Sequence, residues 1–173
     1  MGTSANLADF IAIKADISFI KKEKEGGALY TACPMKAEPC QNRYKVTPTT
    51  DGQYHCEKCG NYYPECTRRW IFSALLEDQS SSTWVSFFND QAETLLDGAT
   101  ADQVFEATNS MDGSANEVYE GFFTKAVHSE WVFRCEVKQE IVNDEPRTKT
   151  SVVGLYPVDC VQDAKDMLAA LQI

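Results

Sequence analysis

Hydrophobic and polar positions follow two different rhythms along the chain. Phe10 to Ile20 (FIAIKADISFI) is rich in β-branched and aromatic residues and runs into the charged Lys21 to Glu25 and Gly26-Gly27, which predicts a strand and then a turn. Trp70 to Leu76 (WIFSALL) and Thr83 to Phe88 (TWVSFF) predict two strands, and the polar Glu77 to Ser82 between them predicts a hairpin. Glu130 to Val142 alternates through Trp131, Phe133, Cys135 and Val137; after a turn expected at Asn143 to Pro146, Lys149 to Val158 reads as its partner, closed by Pro157. Helical patterns occupy Asp90 to Leu96, and Ala101 to Thr108 and Ala115 to Lys125 continue in helical style across Asp112-Gly113. A last helix, Cys160 to Ile173, carries Val161, Ala164, Leu168 and Leu171 at i, i+3, i+7 and i+10, so one face is apolar.

The order is strand, insertion, strand, strand, helices, strand, strand, helix. A helix between the third and fourth of five strands is the plan of an oligonucleotide-binding (OB) barrel, so the expected fold is mainly β with helices. Residues 1–173 are expected to form a single domain, with residues 29–69 inserted between its first two strands and residues 160–173 as an oligomerisation helix. Alternation sorts the side chains: Trp70, Phe72, Ala74 and Leu76 suit a core, leaving Ile71, Ser73 and Leu75 outward. In the next strand Val85 and Phe87 share one side, and Trp84, Ser86 and Phe88 the other. Such barrels stack bases on aromatics of these two strands beside basic groups, which makes Phe88 the stacking candidate, with Trp84 on the same face. Arg43, Lys45, Lys58, Arg68 and Arg69 from the insertion, with Lys138, Arg147 and Lys149 from the last hairpin, are the candidate phosphate contacts.

The insertion, Leu29 to Arg69, has Pro34, Pro39, Pro48 and Pro64, the turn signal Asp51-Gly52 and too little aliphatic content to fold unaided. Six residues separate Cys33 from Cys40; after fifteen more come Cys56 and Cys59 in C-x2-C spacing. Two chelating knuckles joined by a hairpin are what tetrahedral thiolate ligation of zinc requires, so one structural zinc ion is expected on these four. Cys66, next to Pro64 on the way into the following strand, is a substitute ligand. A redox dithiol at Cys56-Cys59 and an iron–sulfur centre are the weaker readings, the former because no strand-then-helix context surrounds the pair. Cys135 and Cys160 read as a core residue and a helix-entry residue.

The net charge is −10, awkward for a surface that meets phosphates, but it is unevenly spread. Glu77 to Glu130 holds eleven acidic residues and one lysine, whereas Leu29 to Arg69 holds six basic and four acidic. Seven cysteines, an odd number, with no glycosylation sequon argue for metal or free thiols rather than a disulfide framework. No apolar run reaches the length of a membrane span and no secretory signal pattern opens the chain, so a soluble intracellular protein is expected. Met1-Gly2-Thr3-Ser4 reads as the start of a fragment of a longer chain. His55 and His128 are the only imidazoles and neither sits in a nucleophile or metal pattern. With no Gly-rich phosphate loop, G-x-S-x-G or H-E-x-x-H, no catalytic residue is assigned and a non-enzymatic protein is expected.

These motifs together resemble a known family. YTACP (Tyr30 to Pro34), YHCEKCG (Tyr54 to Gly60), WVSFFNDQAETLL (Trp84 to Leu96), FRCEVK (Phe133 to Lys138), NDEPR (Asn143 to Arg147) and YPVD (Tyr156 to Asp159) are similar to the C-terminal DNA-binding domain of the replication protein A large subunit. The resemblance implies a zinc-stabilised OB fold and binding of single-stranded DNA without sequence preference. It also implies a C-terminal helix that bundles with two smaller OB-fold subunits, nuclear localisation, and work in replication, repair and recombination. Cys33, Cys40, Cys56, Cys59 and Phe88 match the family's positions. The first knuckle is two residues longer than the family's usual spacing. Ile141-Val142 stands where a second stacking aromatic is frequent, and the acidic helical segment is heavier. A telomerase-associated paralogue, or an assembly module with weak DNA contact, is the alternative reading.

Overall fold

The computed structural model describes residues 8–22, 28–109, 115–143 and 145–171, apart from the side chains of 115, 116 and 142. The turn expected at Gly26-Gly27, the helical passage expected across Asp112-Gly113 and the side chain of Val142 lie outside the described residues. Five strands close into a ring: β1 (Asp9–Lys21), β6 (Thr67–Glu77), β7 (Ser82–Phe88), β8 (Glu130–Val142) and β9 (Glu145–Pro157). β1 pairs with both β8 and β6, β6 with β7, and β8 with β9. The ring closes where β7 runs parallel to β9 at Ser86 and Ser151, which makes this the expected five-stranded OB barrel.

Period-2 alternation fills the barrel. Trp70, Phe72, Ala74 and Leu76 of β6 are buried, as are Val85 and Phe87 of β7, Phe133 and Cys135 of β8, and Val152 of β9. Three helices lie between β7 and β8: α1 (Asn89–Leu95), α2 (Ala101–Asn109) and α3 (Ala115–Thr124). The second opens on a reciprocal cap: Thr100 Oγ1 accepts the Gln103 N–H at 3.2 Å and Gln103 Oε1 accepts the Thr100 N–H at 3.1 Å. An aromatic relay ties helices to barrel. Phe123 of α3 meets Phe72 edge-on at 5.7 Å, Phe72 stacks on Phe87 at 5.2 Å, and Phe87 meets Phe133 edge-on at 6.2 Å. Trp70 closes the helical end, its indole N–H donating to the Ala99 carbonyl at 2.9 Å.

Two segments differ from the sequence reading. β9 begins at Glu145, not Lys149, and pairs from Val142↔Glu145 onward, so the expected turn is shorter and Pro146 lies within the strand opposite Ile141. Antiparallel pairs alternate between hydrogen-bonded and non-hydrogen-bonded, and next to a two-residue connection the second pair is of the latter kind, so the missing Pro146 N–H removes no ladder bond. The insertion also begins as a strand: β2 (Leu29–Ala32) pairs with Thr67 to Trp70 at the start of β6. Beyond it lies a small separate sheet of β3 (Thr47–Pro48), β4 (Tyr54–His55) and β5 (Tyr62–Tyr63). The last helix, α4 (Cys160–Leu171), is capped by Asp159, whose carboxylate accepts the N–H groups of Val161 and Gln162 at 3.1 and 3.0 Å. Lys14 of β1 pairs with Asp163 of this helix.

Phe87 sits at the middle of the relay with no exposed surface. Phe87→Ala is expected to lower unfolding free energy by about 3–5 kcal/mol, read from the urea midpoint at unchanged slope.

Candidate metal centre and nucleic-acid interface

The first knuckle spans six residues yet folds back on itself. The Cys33 N–H donates to the Tyr44 carbonyl at 2.8 Å, Asn42 N–H to Met35 at 2.7 Å, and Cys40 and Gln41 N–H to Ala37 at 3.2 and 2.9 Å. Gln41 and Asn42, just after the second sulfur, take left-handed backbone conformations (φ 48 and 55) that turn the chain back toward Met35. In the second knuckle the Cys56 N–H donates to Asn61 at 3.0 Å and Gly60 N–H to Cys56 at 2.8 Å, with Gly60 at φ 73, where a glycine is favoured.

Together these turns bring Cys33, Cys40, Cys56 and Cys59 to one point, with one sulfur from each and all four within 4.8 Å of one another. Cys33 Sγ lies 3.9 Å from Cys59 Sγ, and Cys40 Sγ 3.6 Å from Cys56 Sγ, far beyond a disulfide bond. Cys33, Cys40 and Cys56 are fully buried with Val46 in a small satellite core. Burial pushes the thiols of Cys33 and Cys40 above their ordinary range. The opposite holds for Cys59: the Tyr63 hydroxyl, 3.4 Å from its sulfur, holds it down at about 6, and the same contact raises Tyr63. Buried sulfurs that can share negative charge only if a cation neutralises them are a donor set for a metal ion. Cys66 stands outside the cluster, Cys135 is in the barrel core, and Cys160 is exposed at the start of α4. Sequence reasoning missed Tyr63; its place four residues after Cys59, on the far strand of the β4–β5 hairpin, is the signal that marks it.

The outward face of β6 and β7 carries the other candidates. Phe88, opposite Ile71, is 39% exposed, and Trp84, opposite Leu75, is 49% exposed. Phe88 borders a groove of about 320 Å³ whose other walls include Gln91, Glu136, Lys138, Glu140, Lys149 and Val153. Lys138 and Lys149 face each other directly across the β8–β9 ladder, an arrangement that repels unless anions intervene. Glu136 lies 2.9 Å from Lys138, and Glu140 3.5 Å from Lys149. Gln91, whose amide donates to the Val153 carbonyl at 3.3 Å, was not foreseen from the sequence. Arg69 leans toward the exposed Asp90 at 3.7 Å, at the Phe88 end of the face. Arg43, Lys45 and Arg147 are exposed; Lys58, also exposed, lies 5.0 Å from the Tyr44 ring. Val161, Ala164, Leu168 and Leu171 form the expected stripe on α4 and are all exposed, Leu171 at 81%.

Arg68 is engaged inside the fold. Its guanidinium lies 3.5 Å from the Phe105 ring centre and 3.3 Å from Asp102, which also accepts the Arg68 backbone N–H at 3.0 Å. Asp102→Ala is therefore expected to lower stability by about 1–2 kcal/mol, measured by thermal or urea melting, because it strips an N–H and a guanidinium of their acceptor.

Comparison with known proteins adds a consistent picture. A family model described as the replication factor-A C-terminal domain matches residues 10–167. One of the replication protein A 70 kDa DNA-binding subunits of Arabidopsis thaliana is 36% identical over 159 residues, covering 92% of this chain and 24% of the relative. The Danio rerio 70 kDa DNA-binding subunit of replication protein A is 35% identical over 161 residues, covering 93% and 25%. The chain thus spans about a quarter of the length of these curated relatives. A replication protein A heterotrimer bound to single-stranded DNA aligns with a TM-score of 0.81 at 25% identity, over 96% of this chain and 36% of that one. Yeast RPA bound to single-stranded DNA aligns at 0.77 and 26% identity, over 99% and 89%.

Proposed function

From the premise that the chain belongs to the replication factor-A C-terminal domain family, we propose that it binds single-stranded DNA on the outer face of β6, β7 and the β8–β9 hairpin. In this reading it is the C-terminal DNA-binding and assembly part of a replication protein A large subunit, working in the nucleus on replication, repair and recombination. The observation that carries the DNA half is the exposed Phe88 ring at the rim of a groove flanked by the opposed Lys138 and Lys149. Base stacking on the ring needs no sequence preference, because every base has a π-face. Phosphates would replace Glu136 and Glu140 as partners of the two lysines; exposed ion pairs of this kind are weak enough to exchange. Arg69, Arg43, Lys45, Lys58 and Arg147 are the further phosphate contacts in this reading. Arg68 contributes by orienting β6 against α2 rather than by reaching DNA.

The metal in this reading is one structural zinc ion. A tetrahedron of sulfurs at about 2.3 Å from zinc has edges of about 3.8 Å, and the separations of 3.6 and 3.9 Å fit it. Four thiolates leave no open position, so zinc would hold the knuckles to β2 and β6 and supply no chemistry to a substrate. For assembly, the support is the apolar stripe of α4, which no described residue covers. Its partners in this reading are two smaller OB-fold subunits, with residues 160–173 as the oligomerisation segment and residues 29–69 as the ribbon insertion of a single domain.

Elemental analysis is expected to find about one zinc per chain, and Cys56→Ser to lower both metal content and melting temperature, because the free energy of binding a structural metal is folding free energy. Thiolates must be deprotonated to bind, so zinc should leave as pH falls. A Cys56→Ser variant that melts like the parent would contradict the structural role. Titration with fluorescent oligo-dT is expected to show affinity falling with salt, and Phe88→Ala to weaken binding by about 1–3 kcal/mol. An absence of binding at low salt would overturn the DNA reading. Truncation after Pro157 is expected to abolish partner association while oligo-dT binding persists.

A further inference from the structure

The four sulfurs that meet between the knuckles are not equally sheltered. Cys33, Cys40 and Cys56 have no exposed surface, whereas Cys59 keeps part of its surface in solvent. A closed site of four thiolates offers a competing ligand no open position on the metal, so exchange has to begin where a sulfur can be reached from outside. In this chain that corner is Cys59.

The fold puts a tyrosine at this corner. β4 and β5 pair with Tyr54 opposite Tyr63 and His55 opposite Tyr62, so the knuckle that carries Cys56 and Cys59 is the loop of a hairpin. Adjacent residues of a strand point to opposite faces. Tyr62 lies on the outer face, 60% exposed, its ring 4.6 Å from that of His55. Tyr63 turns the other way and packs against the small core of Cys33, Cys40, Val46 and Cys56. Its hydroxyl reaches to 3.4 Å from Cys59 Sγ and bears on the Cys33 sulfur as well, the two sulfurs being 3.9 Å apart. The hydroxyl thus stands over the edge of the cluster that joins one knuckle to the other. The Asn61 backbone N–H also bonds the Cys59 sulfur, which therefore receives two donors.

A metal-bound thiolate carries no proton, so in this contact the hydroxyl has to donate. Four thiolates around one divalent cation leave an excess of negative charge in a small apolar core, and such charge is costly unless donors disperse it. We propose that Tyr63 is a positioning residue of the metal site: its hydroxyl, donating to Cys59 Sγ, holds closed the corner that solvent reaches and so sets how fast zinc leaves. The proposal rests on the zinc reading given above. The ring alone would pack the knuckle, but only the hydroxyl can serve the sulfur. Tyr63→Phe separates the two.

The test uses the whole chain loaded with zinc. Transfer of the metal to excess pyridylazoresorcinol is expected to run roughly tenfold faster in Tyr63→Phe than in the parent, the lower end of the affinity lost with an outer partner of a metal ligand, expressed as a dissociation rate. Tyr62→Phe, the neighbouring residue on the opposite face, should match the parent. Cobalt in place of zinc supplies a readout that packing alone does not move. Donation stabilises the sulfur lone pairs from which the sulfur-to-cobalt charge-transfer band arises, so Tyr63→Phe should shift that band to longer wavelength and Tyr62→Phe should leave it in place. Iodoacetamide, from which the attacking sulfur displaces iodide, should label Cys59 before Cys33, Cys40 or Cys56 in the zinc-loaded parent, and faster in Tyr63→Phe. Zinc release from Tyr63→Phe at the parent's rate, an unmoved cobalt band, or first labelling at another of the four sulfurs would each overturn the positioning role and leave the structural zinc standing. If the parent holds neither zinc nor cobalt, the zinc reading falls as well.

Discussion

Closure of the ring at the parallel contact between Ser86 of β7 and Ser151 of β9 is the constraint on which the rest of the structure depends. Once five strands are joined in a ring, every strand has one inner and one outer face, although the seam between β7 and β9 is held at one residue pair. The inner face is spent on the relay from Phe123 through Phe72 and Phe87 to Phe133. The outer face of β6 and β7 is thereby obliged to carry the alternate residues, and these include Ile71, Trp84 and Phe88. Rigid strands rather than loops thus set the spacing of the exposed rings.

The charge distribution follows the same division. The acidic residues concentrate in the segment holding α1 to α3, where several are paired within the fold: Asp102 with Arg68, Glu120 with Lys22 and Asp97 with Lys125. The β8–β9 hairpin is mixed, with Lys138 and Lys149 held by Glu136 and Glu140, and the end of β1 adds Lys21 and Lys22. At physiological salt an exposed charge is screened beyond about 8 Å, so an acidic helical layer on one side need not repel phosphates on another. A net charge of −10 and a phosphate-binding face are therefore compatible in one small protein.

Most of the barrel was legible because its strands alternate: the inward set of β6 and the two sides of β7 fall where the pattern puts them. The four-cysteine cluster was legible from spacing, since knuckle geometry is local. What escaped was information that lies in pairing rather than in sequence period. A bulge at Ser18, where the pairing of β1 with β6 slips between Ile17 and Phe19, leaves no compositional mark, yet it turns Phe19 outward. β2 to β5 are too short to show a period, and Pro146 suggested a turn where the pairing makes it a tolerated strand residue. The contacts of Arg68 with Phe105 and Asp102 span more than thirty residues, so a basic residue that looked available for phosphate is in fact engaged in the fold.

The ribbon and α4 are then attachments to this frame: the first through β2 on β6, the second through Lys14 and Asp163. The central claim is that the outer face of the barrel, and not its helical layer, meets the unpaired strand. Backbone hydrogen exchange, followed with and without saturating oligo-dT, tests it most directly. The account predicts slowed exchange in Thr67–Glu77, Ser82–Phe88 and the Glu130–Val142 and Glu145–Pro157 hairpin, with Ala101–Asn109 and Ala115–Thr124 unchanged. Slowing confined to those two helices, with the strands unaffected, would contradict it.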